Sequence, residues 1–191
     1  MMVPKQVRYL IGAVVLAAAV TGCVSVRTVD DDELPAAWKR EISAASVRPP
    51  QGRFQAAGLL VSGSPKPVDA RLEHVFFPGL IGRSGRPEMV EVAANTDGTF
   101  TARAWRAGAV VAEVTLPGQV DPATGWVEFK HIPVKSTQKF GRTVATQSAR
   151  MGIGSDGAIY VRRSITEAGM VLFMPAFGRG TEWGRWEPVS P

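Results

Sequence analysis

Apolar and polar residues alternate with a period of two along most of the chain from Arg53 onward. In Val110–Leu116 the even positions are apolar and two of the three odd positions are polar, which is typical of a strand with one face in water. We predict a strand wherever such apolar and β-branched runs occur. These runs are Phe54–Ser62, Arg71–Phe77, Met89–Ala94, Thr99–Arg106, Val110–Leu116, Trp126–His131, Thr143–Met151, Ala158–Arg163, Met170–Met174 and Trp183–Glu187.

Turn signals separate these runs. Asp97-Gly98 and Asp156-Gly157 supply the positive φ that tight hairpins need, and we expect Ala107-Gly108 and Ala168-Gly169 to close two more. Short turns join antiparallel neighbours. The pattern therefore predicts an all-β fold, an antiparallel meander that forms either a small barrel or a two-sheet sandwich.

The periodicity is that of a helix before the first predicted strand. Trp38, Ile42 and Ala45 lie at i, i+4 and i+7 and form one apolar stripe. An acidic run, 30–33, precedes the stripe and suits the positive end of a helix dipole, while Pro49-Pro50 follow it and end the helix. We predict one short N-terminal helix that docks this stripe on the domain.

The first 22 residues have a different character. Lys5 and Arg8 precede an apolar run from Leu10 to Val20, and small residues follow. A helix of that length rises only ~16 Å, about half of the hydrocarbon thickness of a bilayer, so a permanent span is disfavoured. A charged start, a short apolar run and a small-residue cleavage site are the pattern of a secretory signal peptide.

The cleavage site, Val20-Thr21-Gly22-Cys23, resembles the lipobox of bacterial lipoproteins, and Cys23 is the only cysteine of the chain. The resemblance implies that the leader is cut before Cys23, which then carries a thioether-linked diacylglycerol and an acylated amino group, so that palmitate labels it. Val24 in place of Asp implies the periplasmic face of the outer membrane, or the outer face of the plasma membrane in a monoderm host. We recognise no family for the mature domain.

The chain thus divides into a lipoprotein signal peptide (1–22), a lipidated tether with a short helix (23–50) and an all-β domain (51–191). We expect the domain to carry all the strands. A domain of this length buries enough surface to form a core without cross-links. Because no second cysteine is present, no intramolecular disulfide is available and folding should need no oxidant.

The positive charge is concentrated after position 129. The net charge is +5, and no acidic residue occurs between Lys130 and Ser155. Beside an anchoring membrane, these cations are candidate contacts with anionic lipid or lipopolysaccharide, and the alternative is a solvated loop. The candidates are Lys130, Lys135, Lys139 and Arg142. Even spacing puts Lys135 and Lys139 on one strand face, whereas the other two need turns to join them.

No catalytic, cofactor or metal site is predicted. The chain has no G-x-S-x-G elbow, and His74 and His131 lie in no metal-binding spacing. Residues 152–157 match G-x-G-x-x-G, but a predicted strand follows instead of the helix that would hold a pyrophosphate. Nucleic acid is not an expected partner either, because an exported protein seldom meets it.

We therefore expect a non-enzymatic binding or scaffold module of the cell envelope, whose partners are the membrane, anionic lipid, lipopolysaccharide or another envelope protein. Two alternatives remain. A β-barrel carrier of an apolar ligand requires an interior cavity. An envelope hydrolase requires several carboxylates and histidines in one cleft. The residues concerned are Glu73, His74, Asp97, Glu128 and His131.

Overall fold

A computed structural model describes residues 27–29, 34–42, 47–61, 68–78, 85–138, 141–171 and 174–190. Within these residues the chain forms twelve strands in two sheets and almost no helix, which confirms the predicted all-β antiparallel fold. The strands are β1 Arg27–Val29, β2 Gly52–Gln55, β3 Ala57–Val61, β4 Val68–Arg71, β5 Met89–Ala94, β6 Thr99–Arg106, β7 Ala109–Pro117, β8 Gln119–Val120, β9 Val127–Gln138, β10 Gly141–Ile153, β11 Ile159–Val171 and β12 Met174–Trp186.

The larger sheet, called the long sheet below, has the order β4-β3-β12-β11-β10-β9-β8. Its neighbours along this path are antiparallel, and strands β9 to β12 are 12 or 13 residues long. Strand β1 joins β12 off this path and runs parallel to it, with Arg27 opposite Gly178 and Val29 opposite Gly180. The short sheet is a separate antiparallel set in the order β2-β5-β6-β7.

The two sheets enclose the main core between their inner faces. Period-two alternation directs one set of apolar side chains from each sheet into this space. Phe129 of the long sheet packs edge-on against Phe100 of the short sheet, with ring centroids 5.4 Å apart, and against Phe76 at 6.3 Å. The same core buries Phe54, Val90, Val92, Ala102, Val127, Met151, Ile153, Ile159, Val161 and Trp186.

Trp186 fits into this core because two glycines make room for its ring. A Cβ atom on Gly58 would lie 2.2 Å from Trp186 Cδ1, and one on Gly184 would lie 2.2 Å from Trp186 Cη2. Any side chain at either position would displace the indole. These strand glycines therefore serve close packing and do not mark turns.

A second cluster lies on the opposite face of the long sheet, which we call the outer face. Residues 34–42 and 47–50 lie across one end of this face, with Trp38 edge-on to Tyr160 at 5.7 Å between centroids. Ile42 is buried in the same cluster, so the predicted docking of the Trp38 and Ile42 stripe is confirmed. The helix itself is one 3₁₀ turn, Ala36–Trp38, whose chain continues as a turn to Ile42. Ala45 lies outside the described residues.

Three of the predicted hairpin turns are confirmed. Gly98 and Gly157 both have a φ of 80°, and Ala107-Gly108 joins β6 to β7 with φ values of 47° and 74°. The match to G-x-G-x-x-G is thus the hairpin between β10 and β11, where Gly154 N–H donates to the carbonyl of Ala158. The fourth prediction, a turn at Ala168-Gly169, is wrong because β11 continues through it, pairing Gly169 with Thr143 and Ala176.

Two predicted strands are wrong in other ways. Residues 73–76 of the predicted strand Arg71–Phe77 form a short helix, α1 Glu73–Phe76, because Leu72, Val75 and Phe76 have the i, i+3, i+4 spacing of a helical stripe. The run Phe54–Ser62 divides at Ala56 into β2 and β3, which belong to different sheets. Phe54 of β2 is buried in the main core, and Leu60 of β3 packs against it.

The remaining differences concern the ends of strands. Within the predicted strand Met170–Met174, β11 ends at Val171 and β12 begins at Met174. Both of these strands are much longer than the alternation indicated. The tether, expected to contain no strand, contributes β1 to the long sheet. A three-residue strand has too short an alternation to be read from sequence, and its pairing with β12 is decided by the tertiary structure.

Candidate binding face

The basic residues predicted to contact an anionic surface belong to the hairpin of β9 and β10. Lys130 is exposed, with its Nζ atom 3.6 Å from Glu128 Oε2. Lys135 is the register partner of Val144, and Arg142 is the partner of Thr137. Lys139, like the lipidation candidate Cys23, lies outside the described residues.

A bulge in β9 changes the face on which these positions fall. The register with β10 shifts between Gln147 and Ala149, so that Phe129 and Ile132 both lie in the core although they are three residues apart. The shift offsets the strand alternation by one residue. Lys130 and position 135 therefore share the outer face, which the simple even-spacing argument did not predict.

Arg142 is joined to them by the hairpin, as the sequence required. Position 142 is two residues from Val144 along β10 and so lies on the same face of the sheet. Three of the four predicted contacts are thus placed on one face by strand register. The fourth, Lys139, is outside the described residues.

The same face carries further cations that sequence reasoning did not single out. Arg150 of β10 pairs with Arg162 of β11, and Arg179 of β12 pairs with Thr166. The signal that would have found two of them is a mirrored pattern: Ser148-x-Arg150 and Arg162-x-Ser164 are symmetric about Asp156 in the hairpin turn. An antiparallel hairpin closed at that residue must pair them.

An apolar row crosses the far end of the outer face. Register aligns Val144, Ala168 and Phe177 across β10, β11 and β12. All three are exposed, with 75% of Val144 and 51% of Phe177 accessible to solvent. This row lies on the same face as the cations of β9 and β10.

Residues 34–42 and 47–50 and a hydrogen-bonded cluster cover the opposite end of the outer face. Arg185 Nη2 donates to Asp156 Oδ2 at 2.7 Å, and Tyr160 Oη donates to the same oxygen at 2.8 Å. Burial works to raise the pKa of Asp156, but the hydrogen bonds from Arg185 and Tyr160 outweigh it, and the pKa is lowered. Burial, and then the bond to Asp156, raises the pKa of Tyr160 to about 12. This cluster fixes the β10–β11 turn against β12.

On the inner side, a cavity of about 110 Å³ lies between α1 and strands β3, β4, β11 and β12. Arg163 pairs with Glu182 at its wall, and Arg71 Nε lies 2.8 Å from Glu73 Oε1 beside it. Burial lowers the pKa of Arg163, and burial is also the main reason that the pKa of His74 is lowered. The volume corresponds to a few water molecules of ~30 Å³ each and is below the ~300 Å³ at which sites for drug-sized ligands begin.

The carboxylates and histidines considered for hydrolysis are dispersed. Glu73 and His74 are consecutive in α1, Asp97 is in the β5–β6 turn and Glu128 is on the outer face. Of His131 the structure gives only the strand position in β9. In the described part of the chain no three His, Cys, Asp or Glu residues are grouped to hold a metal ion. Nor does this part contain a helix with the length and apolarity to cross a membrane.

No protein-family model, curated protein or solved structure matches the chain.

Proposed function

We propose that this protein is a lipid-anchored, non-enzymatic binding or scaffold module of the cell envelope, held with the outer face of its long sheet toward an anionic surface. The observation that carries the proposal is the parallel pairing of β1 with β12, which puts Arg27 opposite Gly178. Arg27 is four positions after Cys23, a separation that spans at most ~14 Å. An acyl anchor on Cys23 is therefore within reach of the far end of β12.

The charge of the outer face supports this orientation. Lys130, Lys135 and Arg142 are on this face together with Arg150, Arg162 and Arg179. Two acids lie beside them, Glu128 at 3.6 Å from Lys130 and Asp121 at 3.5 Å from Arg150. Each cation near an anionic membrane contributes ~1 kcal/mol, within a Debye length of ~8 Å at physiological salt. Several such electrostatic contributions are enough to orient a domain that an acyl anchor already holds at the surface.

The apolar row supports the same arrangement. Phe177 is one residue from Gly178, where β1 begins its pairing, and Val144 lies in the same row two strands away. Because the row is next to the anchored end, its apolar side chains would enter the head-group region while the cations meet phosphates. The partners that fit are anionic lipid and lipopolysaccharide phosphates on the periplasmic face of the outer membrane. Another envelope protein with an acidic surface would meet the same face.

The first test concerns the anchor. Replacing Cys23→Ser should abolish metabolic labelling by palmitate and release the protein from the membrane fraction. Labelling that persists in the variant would remove the lipoprotein part of the proposal, without affecting the binding face.

The second test concerns the face itself. A chain of residues 24–191 should bind vesicles that contain phosphatidylglycerol more tightly than phosphatidylcholine vesicles, and added salt should weaken this binding. Replacing Lys130, Lys135, Lys139 and Arg142 together by Gln should reduce anionic binding at least tenfold.

The control variant replaces four cations on or beside the short sheet, namely Arg53, Arg86, Arg103 and Arg106, by Gln. It changes the net charge equally and should retain most of the binding. Equal loss in both variants would mean that net charge alone governs binding, and no salt-sensitive binding in the parent chain would leave the basic face as a solvated surface.

A further inference from the structure

The short sheet ends in a long strand whose outer edge is uncovered. Strand β7 has nine residues and pairs with β6 on one side, and within the described residues no strand pairs with its other side. Such an edge presents a row of unpaired N–H and C=O groups to any neighbouring chain. It is the place where this sheet can be extended.

Other sheet edges are covered or short. The opposite edge of the short sheet, β2, is covered by residues 187–189. Gln55 N–H donates to the carbonyl of Glu187 at 2.9 Å, and Val189 N–H donates to that of Arg53 at 2.8 Å. In the long sheet, β8 has two residues and β4 has four, too few to hold a second chain by themselves.

Strand β9 differs from β7 in the residues that its free edge carries. Strand β9 continues beyond its pairing with β8, but that stretch contains Pro133 and Lys135. Proline and lysine are residues that prevent pairing at an edge. Strand β7 has no lysine, and its one proline is its last residue, Pro117.

Burial shows that the core is open beside β7. Phe100 and Ala102 of the neighbouring strand β6 are 3% and 2% exposed. The inward residues of β7, Ala112, Val114 and Leu116, pack against the same core but remain only partly buried. A further strand next to β7 would complete their burial.

The ladder with β6 determines which backbone groups of β7 are free. Gly118 N–H donates to the carbonyl of Gly98, so the even-numbered residues from 112 to 118 direct their N–H and C=O groups toward β6. The odd-numbered residues Glu113 and Thr115 direct theirs outward. Their two N–H and two C=O groups are thus available to a neighbouring strand.

Antiparallel pairing of β7 with a second copy of itself satisfies these groups in one register. Opposing Glu113 to its own copy brings like charges together, which is unfavourable. Opposing Thr115 to its own copy places Glu113 opposite Pro117, which has no N–H to donate. The register centred on Val114 avoids both faults. Glu113 of each copy then lies opposite Thr115 of the other, and four backbone hydrogen bonds form.

We propose that two copies of this chain associate through β7, so that their four-stranded short sheets become one sheet of eight strands about a two-fold axis at Val114. This axis is perpendicular to the short sheet and, because the two sheets pack face to face, nearly perpendicular to the long sheet. Both copies therefore direct their outer faces the same way, as two chains anchored in one membrane require. That agreement rests on the proposed function, whereas the pairing itself does not.

The test is disulfide cross-linking of the full chain in membranes of the cells that produce it, with copper phenanthroline as the oxidant. Val114→Cys should give a dimer, because directly opposed Cβ atoms lie ~5 Å apart, close enough for a disulfide after a small adjustment. Ala112→Cys is the matched control. The register separates its two copies by four residues, ~13 Å along the strand, so it should cross-link at least tenfold less. Ala112→Cys mixed with Leu116→Cys should cross-link again, because these positions are opposed.

A second pair of variants acts on the hydrogen bonds of the edge. Thr115→Pro removes an outward N–H and no backbone bond to β6, whereas Thr115→Ser retains both the N–H and the hydroxyl. Combined with Val114→Cys, the first should reduce cross-linking at least tenfold and the second should leave it unchanged. A thermal melt shows whether Thr115→Pro retains the fold, and if it does not, the pattern of the cysteine variants alone decides.

Equal cross-linking of Val114→Cys and Ala112→Cys, or none of either, would overturn the pairing. A disulfide between Val114→Cys and a different protein would assign the edge to that protein and overturn the second copy as its occupant. The parent chain, whose only cysteine is Cys23, is the reference. If the parent cross-links, Cys23 has a free thiol. This result contradicts the lipid anchor but not the β7 pairing, which is then tested with Cys23→Ser in every variant.

Discussion

The two sheets present opposite kinds of outer surface to their surroundings. On the short sheet, register aligns Arg53, Glu91, Arg103 and Glu113 across four strands, so that charges alternate in sign. Arg53 Nε is 3.3 Å from Glu91, and Arg103 Nε is 2.5 Å from Glu113. On the long sheet, the corresponding row is Glu128, Arg150, Arg162 and Trp183, with two cations side by side.

The difference shows what each surface needs. The short sheet neutralises its own charges, and Trp105 adds a hydrogen bond from Nε1 to Glu91 at 3.2 Å. The long sheet places Arg150 beside Arg162, exposes the apolar row of Val144, Ala168 and Phe177, and is covered at one end by residues 34–42 and 47–50. Water is a sufficient environment for the first surface. Under the function proposed above, the second surface faces an anionic and partly apolar partner.

The largest expected effect separates the core from the outer face. Phe129→Ala removes the ring between Phe76 and Phe100 and should lower the free energy of unfolding by about 3–5 kcal/mol, measured by urea denaturation. Phe177→Ala, an identical truncation on the outer face, should change it by less than about 0.5 kcal/mol. Comparable losses would show that Phe177 is part of a packed interior and not of a binding face.

Removing the cover of the outer face should have the next largest effect. Trp38→Ala deletes the edge-on contact with Tyr160 and exposes the cluster around Trp126 and Trp183. Because Trp38 is only half-buried, we expect a loss of about 1–3 kcal/mol, below that of a core aromatic. Hydrogen exchange should accelerate at Ala158 and Tyr160 and stay unchanged in β5 and β6. Acceleration in both sheets would mean that the segment stabilises the whole domain.

The two Asp-Gly turns provide a smaller and pH-dependent comparison. Asp156 is hydrogen-bonded to Arg185 and Tyr160, whereas Asp97 bonds only within its own turn, to Thr99. Asp156→Asn should cost about 1 kcal/mol at pH 6, less than a fully buried charged hydrogen bond because these groups remain partly in water. Asp97→Asn should cost less.

The sign of the pH dependence follows from the lowered pKa of Asp156. The native state favours the ionised form, so its contribution is present above the unfolded pKa of ~3.9 and is lost as the pH falls through the lower native pKa. The stability difference between the parent chain and Asp156→Asn should therefore shrink between pH 5 and pH 3. A difference that stays constant over this range would mean that the carboxylate is not the stabilising form.

The smallest effect concerns the alternating charges of the short sheet. Glu91→Gln should lower the melting temperature slightly in dilute buffer, and high salt should remove this difference because exposed pairs are screened. A difference that persists at high salt would mean that Glu91 stabilises the sheet through its hydrogen bond from Trp105 and not through exposed ion pairs.

Local pattern was sufficient for much of the fold. The limits of β5 and β6 agree with the predicted runs, since alternation and Asp-Gly turns act over a few residues. The turn at Asp156-Gly157 was found for the same reason. The prediction failed where the two periods overlap. Helix α1 lies within an apolar run whose helical spacing extends over only five residues, and so short a run cannot be distinguished from a strand by its pattern.

The candidate site was only partly accessible from sequence. The basic stretch from Lys130 to Arg142 was visible as charge along the chain, but its common face depends on the bulge opposite Ser148, which no local pattern signals. Arg150 and Arg162 are twelve residues apart and meet because the hairpin closes at Asp156. Val144, Ala168 and Phe177 form one row because three long strands are aligned in register.

By itself, the sequence determined the all-β class, the principal turns and the run of cations, because alternation, backbone preference and charge are properties of neighbouring residues. Its lipobox-like leader is likewise a local signal, and the anchoring it implies remains a prediction. The tertiary structure alone decided the exchange between sheets at Ala56, the parallel pairing of β1 with β12 and the meeting of Arg150 with Arg162. Each of these depends on which distant segments share a core or a ladder of hydrogen bonds, and that choice is made by the energy of the whole packed chain.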